Sequence, residues 1–212
     1  MPDEPLIFVE VALTQGVANS IQDVLSETRE EIDIQDADSA IFYSISNCQE
    51  GLLGISFGDS LIKQVVQDLS RELPNLKTFV TLSPIPGLSK WIEANELQTI
   101  SQDQTKLKQL AANYLLEAKQ SNGDPIDPVA KFHLGNGAVI HQINIDADLS
   151  AKGLFQSYGV MVNYLYDPLK ISHNGELFSK EGQIAASSAV KSLSRQAERI
   201  ILQAAEAKEL TN

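Results

Sequence analysis

The stretch Thr81-Leu82-Ser83-Pro84-Ile85-Pro86-Gly87 contains the abrupt end of a strand, and we call residues 81–87 the serine corner. Strand-forming residues from 76 to 82 lead to Ser83, and two prolines and a glycine follow it. Pro84 and Pro86 each fix φ and lack a backbone N–H, so we expect this backbone not to continue a sheet ladder. The sequence therefore predicts a stiff loop with a serine hydroxyl at its edge. Such loops often carry chemistry, and they are also often plain turns.

Strands and helices alternate on both sides of the serine corner. We predict strands over 5–14, 40–46, 76–82, 138–145 and 159–166, and helices over 17–27, 59–73, 88–94, 103–118, 150–155 and 184–207. The apolar run at 5–14 indicates a strand buried on both faces. Residues 120–127 have the composition of a loop. The alternation predicts an α/β fold with a mixed sheet, and no linker divides the chain.

Composition excludes several classes of function. The chain has 212 residues and a formal net charge of −12, which argues against nucleic acid or an anionic membrane as the main partner. Cys48 is the single cysteine and only three histidines are present, so we expect no internal disulfide and no metal site. No apolar run approaches the roughly 20 residues of a membrane helix, and the start lacks a signal-peptide pattern. These features predict a cytoplasmic protein without a membrane segment.

A strand, a glycine-punctuated loop and a helix follow one another between residues 40 and 73. The loop holds Gly51, Gly54 and Gly58, which would let backbone approach a ligand closely. The unpaired N–H groups at the start of the following helix suit an anion such as a pyrophosphate. The pattern matches neither the P-loop nor the dinucleotide fingerprint. An ordinary loop with glycines at positive φ explains it equally well.

The candidate catalytic side chains are few. His133 lies in Phe132-His133-Leu134-Gly135-Asn136-Gly137, and a histidine among apolar neighbours is more often a core residue than a catalyst. His141 alternates within a strand and is expected at the surface, and His173 beside Asn174-Gly175 is expected in a turn. Ser83 lacks the GxSxG pattern of a serine nucleophile. Hydrogen bonding and proton delivery are therefore more economical roles for Ser83 and His133.

Six segments in this order resemble the catalytic domain of the malonyl-CoA decarboxylase family: PLIFVEVALT (5–14), AIFYSIS (40–46), GDSLIKQVVQDL (58–69), TLSPIPGLSKW (81–91), DPVAKFHLGNGAVI (127–140) and SYGVMVNYLY (157–166). SPIPG and FHLGNGA are the most specific of them. The resemblance implies a fold similar to the GNAT acyltransferases, an α/β fold whose central mixed β-sheet splays to hold the pantetheine of acyl-CoA. It also implies one catalytic domain over residues 1–212. The family's N-terminal helical domain and first strand region would be absent, and the segment between SPIPG and FHLGNG would be shorter.

The resemblance also implies roles for individual residues. Ser83 and His133 match the family's catalytic serine and histidine, and Asn136 and Tyr166 would support the pocket. The acyl-CoA-binding loop would comprise Leu53, Gly54, Ile55, Ser56, Phe57, Gly58 and Asp59.

The implied reaction converts malonyl-CoA to acetyl-CoA and CO2 through a thioester enolate, as a carboxy-lyase of fatty-acid metabolism. It needs no metal and no separate cofactor, because coenzyme A is part of the substrate. Neither nucleic acid nor a membrane is an expected partner, and a homo-oligomer is allowed. One alternative is a non-catalytic acyl-CoA-binding or assembly module from a truncated relative. A GNAT-like acyltransferase is a weaker one, because no feature indicates an acceptor site.

Overall fold

The computed structural model describes residues 7–28, 32–47 and 58–209. Within these ranges the chain forms six strands and nine helices. In chain order they are β1 (Ile7–Thr14), α1 (Ile21–Leu25), β2 (Ser39–Asn47), α2 (Gly58–Glu72), β3 (Thr78–Thr81), β4 (Ser83–Pro84), α3 (Leu88–Ala94), α4 (Gln98–Ser101), α5 (Gln104–Glu117), α6 (Pro128–Gly135), β5 (Val139–Asn144), α7 (Ala151–Ser157), β6 (Met161–Leu165), α8 (Ile171–Glu181) and α9 (Ser188–Glu209). None of the described helices is long and apolar enough to cross a membrane.

The strands form one mixed sheet in the order β1-β2-β3-β6-β4, with β5 also paired to β6. Strands β2 and β3 are parallel, and the other pairings are antiparallel. Successive side chains of β2 pack into two different hydrophobic clusters: Phe42 lies in the larger cluster and Ile41 lies in a smaller one. This alternation places a core on each face of the sheet. The predicted α/β class with a mixed sheet is confirmed.

Several local predictions need correction. The N-terminal strand is not buried on both faces, because the Phe8 side chain is 56% exposed and β1 pairs with β2 at the end of the strand order. The first predicted helix is reduced to five residues, with the Ser20 side chain capping its start. His173 is not in a turn, because it lies exposed on helix α8. There Gly175 lies so close to the Gly135 carbonyl that an added Cβ would stand 3.2 Å from its oxygen.

The glycine-punctuated segment around His133 is largely a helix. Helix α6 begins with Pro128, and the Asp127 side chain caps it, a combination that favours a helix start. The helix ends at Gly135, and Gly137 follows with φ of +80°. The sequence pattern does not predict this helix, because its capping residue Asp127 lies in a stretch, residues 120–127, that has the composition of a loop. His133 therefore lies in the last turn of a helix.

The serine corner continues the sheet for two residues, contrary to the expectation from its prolines. The Leu82 N–H donates to the Phe42 carbonyl at 3.0 Å, and then Ser83 and Pro84 pair with β6. Proline is tolerated there because β4 ends the strand order, so one side of its backbone needs no partner. Beyond Phe42, β2 continues along β1 while the serine corner turns to β6. The two segments diverge and leave a gap, as the family resemblance implied.

Candidate active site

Ser83 and His133 are in direct contact. The Ser83 Oγ and the His133 Nε2 are 3.1 Å apart, although the residues are 50 positions apart in sequence. Their exposed fractions are 6% and 3%. The strand end holds the serine and helix α6 holds the histidine. The structure thus brings together the two side chains that the family resemblance implies are catalytic.

Neighbouring hydroxyl groups fix which ring nitrogen of His133 carries the proton. The Ser83 hydroxyl donates to the Thr81 Oγ1 at 2.8 Å, so its one proton is already committed. The Ser83 oxygen can then only accept from His133, which places a proton on Nε2. The Nδ1 atom lies 2.7 Å from the Tyr166 hydroxyl and accepts its proton. A directed chain of hydrogen bonds therefore runs from Tyr166 through His133 and Ser83 to Thr81.

His133 is a neutral imidazole at physiological pH. Burial lowers the pKa of His133 to about 3, because an apolar environment disfavours the charged form. The Tyr164 ring stacks on the imidazole with the centroids 4.4 Å apart, and Phe132 meets it edge-on. In this state the imidazole can donate one hydrogen bond and accept another, and it carries no resting positive charge.

A cleft of about 370 Å³ opens in front of Ser83 and His133. Strand β2, the serine corner and helix α6 form its walls. Its lining is mainly apolar or aromatic, with these two polar side chains among it: Phe42, Tyr43, Ser44, Ile45, Leu82, Ser83, Pro84, Pro128, Val129, Phe132 and His133. A mostly apolar cleft with a few convergent polar groups is typical of a small-molecule site. The cleft occupies the gap where β2 and the serine corner diverge.

Tyr166 and Asn136 lie outside this lining. Tyr166 is fully buried and contacts His133 on the side away from Ser83. The Asn136 amide donates to the Phe132 carbonyl at 2.8 Å and so caps the end of α6. Of the predicted acyl-CoA loop, Leu53, Gly54, Ile55, Ser56 and Phe57 lie outside the described residues. Gly58 and Asp59 are the first residues of α2.

Three contributors to the site were not predicted. Thr81 stands two residues before Ser83, and Tyr164 stands two before Tyr166, which is the spacing of neighbours on one face of a strand. That spacing could have indicated both residues. The third is Asp127, which is 1% exposed and which the Asp-Pro dipeptide could have marked as a cap. Within the described ranges, no group of three or more His, Cys, Asp or Glu side chains could hold a metal ion.

Comparison with known proteins adds independent evidence. The family model for the malonyl-CoA decarboxylase C-terminal domain matches residues 1–106 and 96–206. A crystal structure of malonyl-CoA decarboxylase from Rhodopseudomonas palustris is 48% identical, with a TM-score of 0.85, over 90% of this chain and 50% of that one. The mitochondrial malonyl-CoA decarboxylase of Mus musculus is 37% identical over 242 residues, covering 91% of this chain and 48% of its own length.

A more distant structure, a GNAT-like decarboxylase in complex with isobutyryl-CoA, is 18% identical with a TM-score of 0.51 and shares the fold alone. The GNAT-like fold that the sequence implied is confirmed. The chain spans about half the length of the curated relatives it matches. The two ranges matched by the family model overlap at 96–106, which lies between Ser83 and His133.

Proposed function

The chain belongs to the malonyl-CoA decarboxylase family, and we propose that it converts malonyl-CoA to acetyl-CoA and CO2. The observation that carries the proposal is the directed chain Tyr166–His133–Ser83 at the wall of an apolar cleft. Of the residues in this chain of hydrogen bonds, Ser83 and His133 line the cleft. They suit a reaction in which charge moves onto a thioester oxygen.

The chemistry sets three requirements. The C–C bond breaks when the malonyl carboxylate is rotated out of the thioester plane, and its electron pair moves into the thioester carbonyl to give an enolate. CO2 leaves, and the α-carbon then takes up one proton. The protein must hold coenzyme A, stabilise the enolate oxygen and supply that proton. A dry cleft also favours loss of the carboxylate charge as neutral CO2.

We assign these tasks to the contacting residues. When the malonyl group binds, the Ser83 hydroxyl turns from Thr81 to donate to that group and orient it. The His133 Nε2–H likewise turns from Ser83 to donate to the developing enolate and then protonates the carbon. As that proton leaves, the Tyr166 hydroxyl can pass its own proton to Nδ1, so the negative charge moves to the Tyr166 oxygen and not to the imidazole. One proton from solvent then restores the Tyr166 hydroxyl before the next turnover. A neutral histidine suits this role, because it begins with a proton on Nε2 and an acceptor at Nδ1. Removing one such donor typically costs about 3–4 kcal/mol of transition-state stabilisation.

Coenzyme A binding is proposed for the loop that leaves strand β2. Tyr43, Ser44 and Ile45 of β2 line the cleft, and the chain passes from this strand through residues 53–57 to the 15-residue helix α2. The pyrophosphate would bind at the first N–H groups of this helix, Gly58 and Asp59 included. Coenzyme A would then enter as part of the substrate, with no metal or separate cofactor required.

The test is turnover of malonyl-CoA by the purified chain, followed by chromatography of acetyl-CoA. Ser83→Ala and His133→Asn should each lower kcat about hundred-fold or more, while acetyl-CoA binding changes little. Ser89→Ala is a matched control, because Ser89 is also 6% exposed but lies on helix α3 outside the cleft lining. Wild-type rates in both site variants would refute the assigned chemistry.

A second candidate is a non-catalytic acyl-CoA-binding or assembly module, because an acyl group could occupy the apolar cleft without reacting. The contact between Ser83 and His133 argues against it, because binding alone requires neither side chain. Tight acetyl-CoA binding without any turnover of malonyl-CoA would support this candidate.

We also propose a cytoplasmic location and a role in fatty-acid metabolism. A homo-oligomer and a monomer are both compatible with the proposal. The mouse relative is named as mitochondrial. Fractionation of the source cells tests the location, and sedimentation tests the oligomeric state.

A further inference from the structure

Ser83 and His133 lie on elements that no strand pairing joins. The serine corner is held by β6 through Ser83 and Pro84, and the described pairings do not include helix α6. The 3.1 Å contact between the two side chains therefore depends on other groups that fix the helix against the serine corner. Asp127 is such a group.

The Asp127 carboxylate fixes the start of the helix that carries His133. Its Oδ1 accepts from the N–H groups of Val129 at 3.0 Å and Ala130 at 2.9 Å. Pro128 occupies the first helical position, where its missing N–H is not needed. His133 follows six residues after the cap, so a tilt of the first turn would carry through to the imidazole.

The same carboxylate also reaches the serine corner. The Gly87 N–H is one of the groups that hold the pKa of this carboxyl down, and a Cβ built on Gly87 would stand 3.9 Å from its Oδ2. The same Oδ2 accepts from the Tyr114 hydroxyl at 3.4 Å. A Cβ added at Gly87 would collide with that hydroxyl, so the glycine provides the space in which these groups meet. Asp127 thereby contacts the end of the serine corner, helix α5 and helix α6 together.

Neutral groups surround this buried carboxyl. Burial raises the pKa of Asp127, whereas hydrogen bonds from Ala130, Gly87, Val129 and Tyr114 oppose that rise. No ion pair to Asp127 is formed by the residues the structure describes. A residue that only caps a helix can do so while exposed to solvent and without contacts outside that helix, whereas Asp127 is buried and contacts other elements.

We propose that Asp127 is a positioning residue for the decarboxylation: it bridges the serine corner to the first turn of α6 and so sets the distance between Ser83 and His133. The inference rests on the proposed function for its catalytic consequence, but the bridge itself can be tested without turnover. The competing reading is that Asp127 is only a helix cap.

Asp103 offers a matched control for capping. It caps helix α5 with the same pair of contacts, to the N–H groups of Thr105 at 2.8 Å and Lys106 at 3.2 Å. The Asp103 side chain is exposed and lies outside the cleft lining. Because asparagine is as good a cap as aspartate, Asp127→Asn keeps the cap but replaces Oδ2, which accepts from the Tyr114 hydroxyl beside Gly87, with an NH2 group that can only donate. Asp103→Asn makes the same chemical change without the bridge.

The experiment compares kcat and KM for malonyl-CoA, together with the NMR signal of the His133 Nε2–H, in wild type and both variants. We expect Asp127→Asn to lower kcat at least ten-fold, to change KM less than about three-fold and to shift or broaden the His133 signal. We expect Asp103→Asn to match wild type in all three. Asp127→Ser repeats the test if Asp127→Asn does not fold, because serine also caps a helix but is too short to reach the serine corner.

Wild-type kcat and an unchanged His133 signal in the folded Asp127 variant would overturn the proposal. So would equal effects of the Asp127 and Asp103 substitutions, because capping alone would then explain both. If wild type does not turn over malonyl-CoA, the proposed function fails, and the NMR comparison still decides whether Asp127 positions His133.

Discussion

Acidification should destabilise this protein through His133, and the structure gives the size of the effect. Burial lowers the pKa of His133 to about 3 in the folded chain, against about 6.5 for an unperturbed histidine. Below pH 6.5 the unfolded chain therefore binds a proton that the folded chain does not. The free energy of unfolding therefore decreases as the pH falls below about 6.5. This contribution of His133 becomes constant again below about pH 3, where the folded chain also binds the proton.

Linkage converts these two pKa values into a free energy. At pH 5.0 the unfolded histidine is almost fully protonated and the folded one almost fully neutral. The resulting loss of unfolding free energy relative to neutral pH is about 2 kcal/mol. The change His133→Asn removes the titrating group, so this part of the pH dependence should disappear from the variant.

Urea denaturation of wild type and His133→Asn at pH 7.5 and pH 5.0 measures the difference. The many carboxyl groups and the remaining histidines are common to both proteins, so their contributions cancel when the two pH dependences are subtracted. Wild type should lose about 2 kcal/mol more than the variant on acidification. Equal losses in the two proteins would refute the inference that His133 is held neutral by burial.

Four further substitutions test other contacts of the site. Tyr166→Phe removes the hydroxyl at His133 Nδ1 and should lower kcat about ten- to hundred-fold. It should also cost about 1–3 kcal/mol of stability, because a buried acceptor loses its donor; an unchanged kcat would exclude the proton relay. Gly87→Ala should cost about 1–3 kcal/mol in urea denaturation, because its Cβ collides with the Tyr114 hydroxyl. Tyr114→Phe should recover part of that loss, and strictly additive effects would contradict the collision. Gly137→Ala should destabilise the fold by at least about 1–3 kcal/mol, because residue 137 has a φ of +80° and the added Cβ would collide with the Ile171 backbone at the start of α8. A variant as stable as wild type in the same assay would be incompatible with this packing.

Local signals account for what the sequence predicted correctly. Helices α2 and α5 follow from their apolar spacing, and the Ser150 cap of α7 from its residue type. Helix α8 was missed for an equally local reason, because Asn174-Gly175 indicates a turn. Glycine costs about 1 kcal/mol in a helix relative to alanine. Here it permits the approach of the Gly135 carbonyl, a contact that only the folded chain contains.

The candidate site divides in the same way. Ser83 and His133 were assigned from the resemblance of SPIPG and FHLGNG to a family, and the acyl-CoA loop at 53–59 remains a prediction. The pairing of Ser83 with β6 was not predicted, since the tolerance of Pro84 depends on its strand lying at the end of the sheet order. Nor could the sequence indicate that Tyr166 and Thr81 fix the histidine tautomer.

The sequence by itself determined the class of fold and, by resemblance, the two side chains of the site. These depend on periodicity, on residue types and on short motifs, which neighbouring residues carry. The tertiary structure decided that the Ser83 hydroxyl lies 3.1 Å from His133, that the imidazole is neutral and that Asp127 bridges the two elements. Hydrogen-bond direction, burial and pKa depend on groups from distant parts of the chain, so they exist only after the chain has folded.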